Sequence, residues 1–173
     1  MRLSIPALAL AITFAACAHA SHMHGTTASP NPAAYGAAVE NGYKRARAAT
    51  NAFHALDSAV AAGYVAAVQN CVADSVHGAM GYHHINRALL DNKADVERPE
   101  YLIYERMPGG TYVLNAVEYI VPYRAWPRDS TPPLVMGQKM RQNDPLNLWN
   151  LHFWIWKTNP AGLFAEWNPD VHC

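Results

Sequence analysis

Hydrophobic and polar positions alternate with two different periods along this chain. Between about residues 43 and 62, Ala46, Thr50, Phe53, Leu56 and Val60 recur at steps of three or four and lead on to Tyr64, while Lys44, Arg45, Arg47, Asn51, Asp57 and Ser58 fall mostly between them. That spacing predicts an amphipathic helix stopped near Gly63, with His54 as a packed residue beside its apolar stripe. Further on the period becomes two. In the segment 112–121, Tyr112, Leu114, Ala116, Glu118 and Ile120 share one face, and Val113, Asn115, Val117, Tyr119 and Val121 the other. Both faces are largely apolar, which predicts a central strand covered on both sides. Residues 101–105 have strand composition, and Met107-Pro108-Gly109-Gly110-Thr111 is a turn. Residues 151–157 alternate again, with His152, Trp154 and Trp156 on one side, and Asn159-Pro160-Ala161-Gly162 is a turn that returns the chain along 163–167. The expected fold is α+β: a single domain over 37–173, with an N-terminal helix on a mostly antiparallel sheet. A small β-barrel with a flanking helix is the alternative.

Composition supports one globular domain. Of the 173 residues 51% are hydrophobic and 15% charged, enough apolar mass for a real core. Lys plus Arg and Asp plus Glu are 13 each with no basic stripe, which argues against nucleic acid as a partner. Arg2, the apolar run 5–16 and Ala18-His19-Ala20 form the pattern of an export signal over 1–20, followed by a flexible leader over 21–36 that contains Ser21-His22-Met23-His24. The apolar run is too short to span a bilayer, so no transmembrane helix is expected. The protein is expected to be periplasmic or secreted, with a lipoprotein anchored through Cys17 as the alternative. Outside the signal only Cys71 and Cys173 remain. In an oxidising compartment they predict a disulfide, and closing a loop of about a hundred residues is worth roughly 4 to 5 kcal/mol in the loop-entropy model.

The chemistry concentrates in the stretch 77–86, where His77, His83 and His84 lie close to Met80 and Asn86. Glu118 adds a carboxylate in an apolar row. Such a group is rarely buried unless a metal, an arginine such as Arg106 or Arg124, or a proton compensates it, because desolvation costs several kcal/mol. His152 projects from a second strand. If the two strands share a sheet, His83, Glu118 and His152 converge into a metal-ligand set of two imidazoles and one carboxylate, suited to copper, zinc or iron and leaving positions open for water or a small molecule. His84, His77, Asn86 and Met80 are second choices, Met80 because a thioether favours copper(I). The proline-rich segment 122–145 lacks periodicity and reads as a long loop, a candidate lid.

The expected function is a metal-binding protein, extending to a metal-dependent enzyme on a small molecule. The alternative is a non-catalytic binding module in which Trp154, Trp156 and Tyr82 form an aromatic wall for a carbohydrate or flat aromatic ligand, or for non-covalent haem held by His83 or His84.

Three motifs also carry a resemblance. Gly81-Tyr82-His83-His84-Ile85-Asn86, Val117-Glu118-Tyr119-Ile120-Val121-Pro122 and Leu151-His152-Phe153-Trp154-Ile155-Trp156, with the closing Asn168-Pro169 and terminal Cys173, together resemble a group of small exported bacterial proteins without a settled activity. The similarity runs from about residue 43 to the end. It implies export, says nothing of reaction type, and marks His83, Glu118 and His152 as the polar motif positions.

Overall fold

The structure, a computed structural model, describes Met1 and residues 31–173. Apart from Met1, the expected signal over 1–20, with Cys17, and most of the leader lie outside the described residues. The last leader residues, Pro32–Tyr35, form a 3-10 turn whose first amide is capped by the Asn31 side chain at 3.1 Å.

Helix α1 (Ala37–Thr50) begins earlier than the periodicity predicts and ends earlier too. A 3-10 turn (Asn51–His54) separates it from the short α2 (Leu56–Ala61). Tertiary hydrogen bonds explain the break. The Thr50 hydroxyl donates to the Ala46 carbonyl at 2.7 Å and accepts from Trp156 Nε1 at 3.1 Å, and the Tyr104 hydroxyl donates to the Phe53 carbonyl at 2.7 Å. Groups that would continue the helix are thus tied to the sheet instead.

Among the described residues nine strands follow: β1 (Val65–Ala66), β2 (Val72–Asp74), β3 (Gly78–Ile85), β4 (Tyr101–Arg106), β5 (Tyr112–Pro122), β6 (Leu134–Val135), β7 (Gln138–Lys139), β8 (Arg141–Asn143) and β9 (Leu148–Phe153). Seven form one sheet in the order β1-β3-β4-β5-β9-β8, with β2 on the remaining length of the β3 edge, and every pairing is antiparallel. The sheet is open, so the barrel alternative is not realised and the helix-on-sheet expectation holds. Strands β6 and β7 make a separate hairpin inside the segment expected to be a structureless loop, and β8 also lies there.

The two faces of the sheet differ. Leu102, Tyr104, Val117, Tyr119, Leu151 and Phe153 form the main core under the helices, together with Val39 and Ala46 of α1. The other face carries two small apolar clusters, Ala79-Ile103-Ala116-Trp154-Val171 and Ile85-Ile120-Leu148. A β-bulge separates the ends of β5. Ile103 pairs with Ala116 but Tyr104 with Leu114, leaving Asn115 as the extra residue. The bulge reverses the face of Leu114, which joins the helix-side core although strict alternation sets it beside Glu118.

Strand β9 stops at Phe153, short of the expected 157, because the Trp156 and Lys157 amides both donate to the Asn115 carbonyl at 3.0 Å. Residues 163–167 are a turn and irregular chain rather than a return strand, tied back through the Trp154 amide to the Leu163 carbonyl at 3.0 Å.

Two glycines shape the start of β3. Gly81 (φ +111°) lies so close to β4 that a Cβ would collide with the Tyr104 carbonyl oxygen, and Gly78 (φ +96°) admits the 168–169 backbone in the same way. Cys71 and Cys173 are joined by a disulfide, which fastens the end of the chain to the segment between β1 and β2.

Candidate metal centre

The strand register assembles the site. In antiparallel strands, directly opposed residues project from the same face. Tyr101 of β4 pairs with Glu118 of β5, and Glu118 pairs with His152 of β9. His83 of β3 pairs with Ile103, two positions along β4 from Tyr101, and so shares that face. All three candidate ligands stand on the side of the sheet away from the helices.

They converge. His83 Nε2 lies 3.7 Å from Glu118 Oε2, and His152 Nε2 lies 3.8 Å from Glu118 Oε1. One ligand atom from each of the three residues fits within 4.8 Å of the others. Tetrahedral ligands on bonds of about 2.1 Å stand about 3.4 Å apart, so closing onto a cation takes a contraction of at most about 1.4 Å at the widest pair.

Burial makes the arrangement costly when empty of charge. His83, Glu118 and His152 retain only 8%, 5% and 3% of their exposure. His152 Nε2 and His83 Nδ1 are buried with no hydrogen-bond partner, a state that ordinarily costs about 1 to 3 kcal/mol per group. Glu118 Oε1 accepts one hydrogen bond, from Asn150 Nδ2 at 2.8 Å. Among the described residues no arginine pairs with it. The ion-pair partners of Glu118 among the described residues are the two histidines alone, and burial lowers both imidazoles to about 4, which keeps them neutral near pH 7. For His83 the nearby Glu118 charge opposes that shift without cancelling it, and for His152 Glu166 does so. Burial pushes the Glu118 carboxyl up, against the pull of His83 and the Asn150 hydrogen bond. The group is therefore a desolvated carboxylate between two uncharged nitrogen donors, a set that takes up a cation or, failing that, a proton.

A cavity of about 190 Å³ opens beside the three residues. Met80 and the three ligand candidates line it, as do Asn150 and Tyr101, with apolar side chains from the 67–72 segment, β5, β9 and Leu146. Of the long segment expected to act as a lid, Asn143 alone contributes.

The remaining sequence candidates lie elsewhere. His84 neighbours His83 and therefore faces the opposite side, with its ring against Tyr104 and Tyr112 at 5.1 and 6.1 Å. His77 is exposed and its Nδ1 pairs with Asp74 Oδ1 at 2.8 Å. The Asn86 side chain accepts from the Ala88 amide and donates to the Ala62 carbonyl, which makes it a cap for the Arg87–Leu89 turn.

The aromatic wall is not formed. Trp154 is buried beside Ile103 and Ala116 and donates to the Ala165 carbonyl at 2.6 Å. Trp156 lies on the helix side, with the Arg47 guanidinium 3.9 Å above its ring and His54 against its edge at 4.2 Å. Tyr82 lines a separate groove with Gly109 and His172. The tryptophans part company because β9 ends at Phe153, after which period-two alternation no longer applies.

Asn150 and Tyr101 escaped the sequence reading. Asn150 stands two positions before His152 on the same strand face, so its spacing carried the signal. Tyr101 could be placed only once its register with Glu118 was known.

Compared with family models, curated proteins and solved structures, the chain matches none. Fold and site define a class and no more: an α+β protein whose open antiparallel sheet carries a buried group of two histidines and one glutamate that can hold a metal ion.

Proposed function

We propose that this is an exported metal-binding protein in which His83 Nε2, His152 Nε2 and one Glu118 oxygen bind a single divalent transition metal, with the remaining coordination positions turned toward the cavity. The observation that carries this reading is the ionisable Glu118, desolvated between two neutral imidazoles and paired with no arginine among the described residues. Replacing a proton by a metal ion satisfies the carboxylate and the stranded His152 nitrogen together. Two imidazoles and a carboxylate suit divalent zinc, copper or iron, while Met80 on the cavity wall is a thioether, a donor type that favours the monovalent copper(I) state. A metal held by three protein ligands keeps room for water or a small molecule, the arrangement of catalytic rather than purely structural sites. If the reaction is hydrolytic, the metal lowers the pKa of its bound water.

Export is supported by the signal-like residues 1–20 and by the disulfide, a bond favoured outside the cytoplasm. Among the described residues no helix is long and apolar enough to cross a membrane. The alternative of a carbohydrate or flat-ligand module finds no shared aromatic face, since Trp154 is buried on one side of the sheet and Trp156 is half-buried under Arg47 on the other. Haem is disfavoured by volume, because 190 Å³ falls below the roughly 300–1,000 Å³ typical of drug-sized ligands.

Elemental analysis of protein purified from its native compartment tests the proposal. The expected result is about one transition metal per chain, lost in His83→Ala and His152→Ala. Protein that carries none and takes up neither zinc, copper nor iron overturns it.

A further inference from the structure

The cavity beside the metal centre has a chemistry of its own. Apart from the three ligands its lining includes the apolar side chains Val68, Val72, Met80, Ile120, Leu146 and Leu148, and among the described residues no lysine or arginine lines it. Two of these side chains form a rim open to solvent: Leu146 is 63% and Val68 49% exposed. Metal-bound imidazoles are neutral and the glutamate carries one negative charge, so a divalent cation held here keeps a net charge of one. In a desolvated site that remaining charge favours a monoanionic donor over a neutral or dianionic one. The volume of about 190 Å³ exceeds the roughly 150 Å³ apolar cavity known to accommodate benzene, which leaves room for one ring and a small head group.

Resting on the metal-binding reading above, we infer that the ligand of this site is a small monoanion with an apolar body of about one ring, whose charged head binds the metal while its body fills the Val72-Ile120-Leu148 wall. Selectivity comes from the apolar body. Acetate and benzoate present the same carboxylate head to the metal and differ in the ring. Burying that ring is worth about tenfold or more in affinity.

The test uses the full mature chain loaded with Co²⁺, whose visible bands report coordination directly where zinc is silent. Titration with acetate and benzoate is expected to shift these bands, benzoate binding at least about tenfold more tightly. Ala67→Phe, which fills the cavity from its edge, is expected to abolish the preference while Co²⁺ uptake persists. Leu146→Gln, at the exposed rim where folding is not at stake, is expected to reduce it by about threefold. Equal affinities for the two anions, or no band shift with either, in protein that binds Co²⁺ stoichiometrically overturn the ligand inference and leave the metal reading standing. Protein that takes up no Co²⁺, zinc, copper or iron overturns both.

Discussion

Glu118 and His152 stand directly opposite each other on β5 and β9, paired in register, and His152 Nε2 lies 3.8 Å from Glu118 Oε1 with no hydrogen-bond partner of its own. Both side chains are held by strands buried on their two faces, so neither can swing to solvent for relief. A carboxylate and an imidazole nitrogen fixed in this way can share a cation or a proton, and His83 supplies a third donor atom to the same group.

Removing the carboxylate separates its two roles. Glu118→Gln is expected to lower metal affinity by at least about 100-fold, since loss of a ligand exceeds the 10–100-fold cost of losing an outer partner. The metal-free variant should be as stable as the parent or more so, because a desolvated ionisable group has been removed. Thermal melts with and without zinc check this; a variant that melts lower without metal and binds zinc normally contradicts the assigned role.

Asn150 holds Glu118 through a single hydrogen bond of 2.8 Å. Asn150→Ala is expected to weaken zinc binding by about 10–100-fold without abolishing it. Calorimetric titration measures the change. Unaltered affinity would mean that the amide plays no part in orienting the carboxylate.

A second carboxyl, Glu100, predicts the pH dependence. It is 1% exposed, Oε2 accepts from the Ile120 amide at 2.9 Å, and burial raises its pKa from 4.5 to about 8. Asp91 and Glu118 add to the rise, and the buried Tyr64 and Tyr119 are close enough to feel its charge. Its folded pKa lies above the unfolded one, so its contribution is complete below about pH 4.5 and is lost as pH rises through about 8. The slope should approach 1.4 kcal/mol per pH unit at most. Urea unfolding of metal-free protein between pH 7 and 8.5, above the range in which the buried His83 and His152 act in the opposite direction, should show stability falling with pH, and Glu100→Gln should flatten that fall. An equal slope in both proteins refutes the assignment.

The disulfide couples stability to the cavity. Residues 67, 68 and 72 line the cavity, and Cys71 within that segment is tied to Cys173. Replacing both cysteines by serine is expected to cost about 2 to 5 kcal/mol in urea unfolding and to weaken benzoate binding to the Co²⁺ protein more than Co²⁺ binding itself. A loss confined to stability, with benzoate affinity intact, would show that the wall holds its shape without the bridge.

Helix followed by antiparallel strands was legible in the chain, because hydrophobic period is a local property: the 3.6 spacing before Gly63 and the alternation through 112–121 need no knowledge of partners. The same local physics singled out Glu118, since an ionisable group in an apolar row signals a desolvation cost wherever the strand lies. What the chain alone could not decide were relations between distant segments. The β5–β9 register that sets Glu118 opposite His152 depends on pairing across more than thirty residues. The bulge at Asn115 that moves Leu114 to the other face, and the early end of β9 that sends Trp154 and Trp156 to opposite sides, arise from hydrogen bonds to neighbouring strands and loops. His83 and His84 are adjacent and equally metal-competent; only the tertiary structure, by giving one face to the helices and the other to the cavity, placed one beside Glu118 and the other against Tyr104.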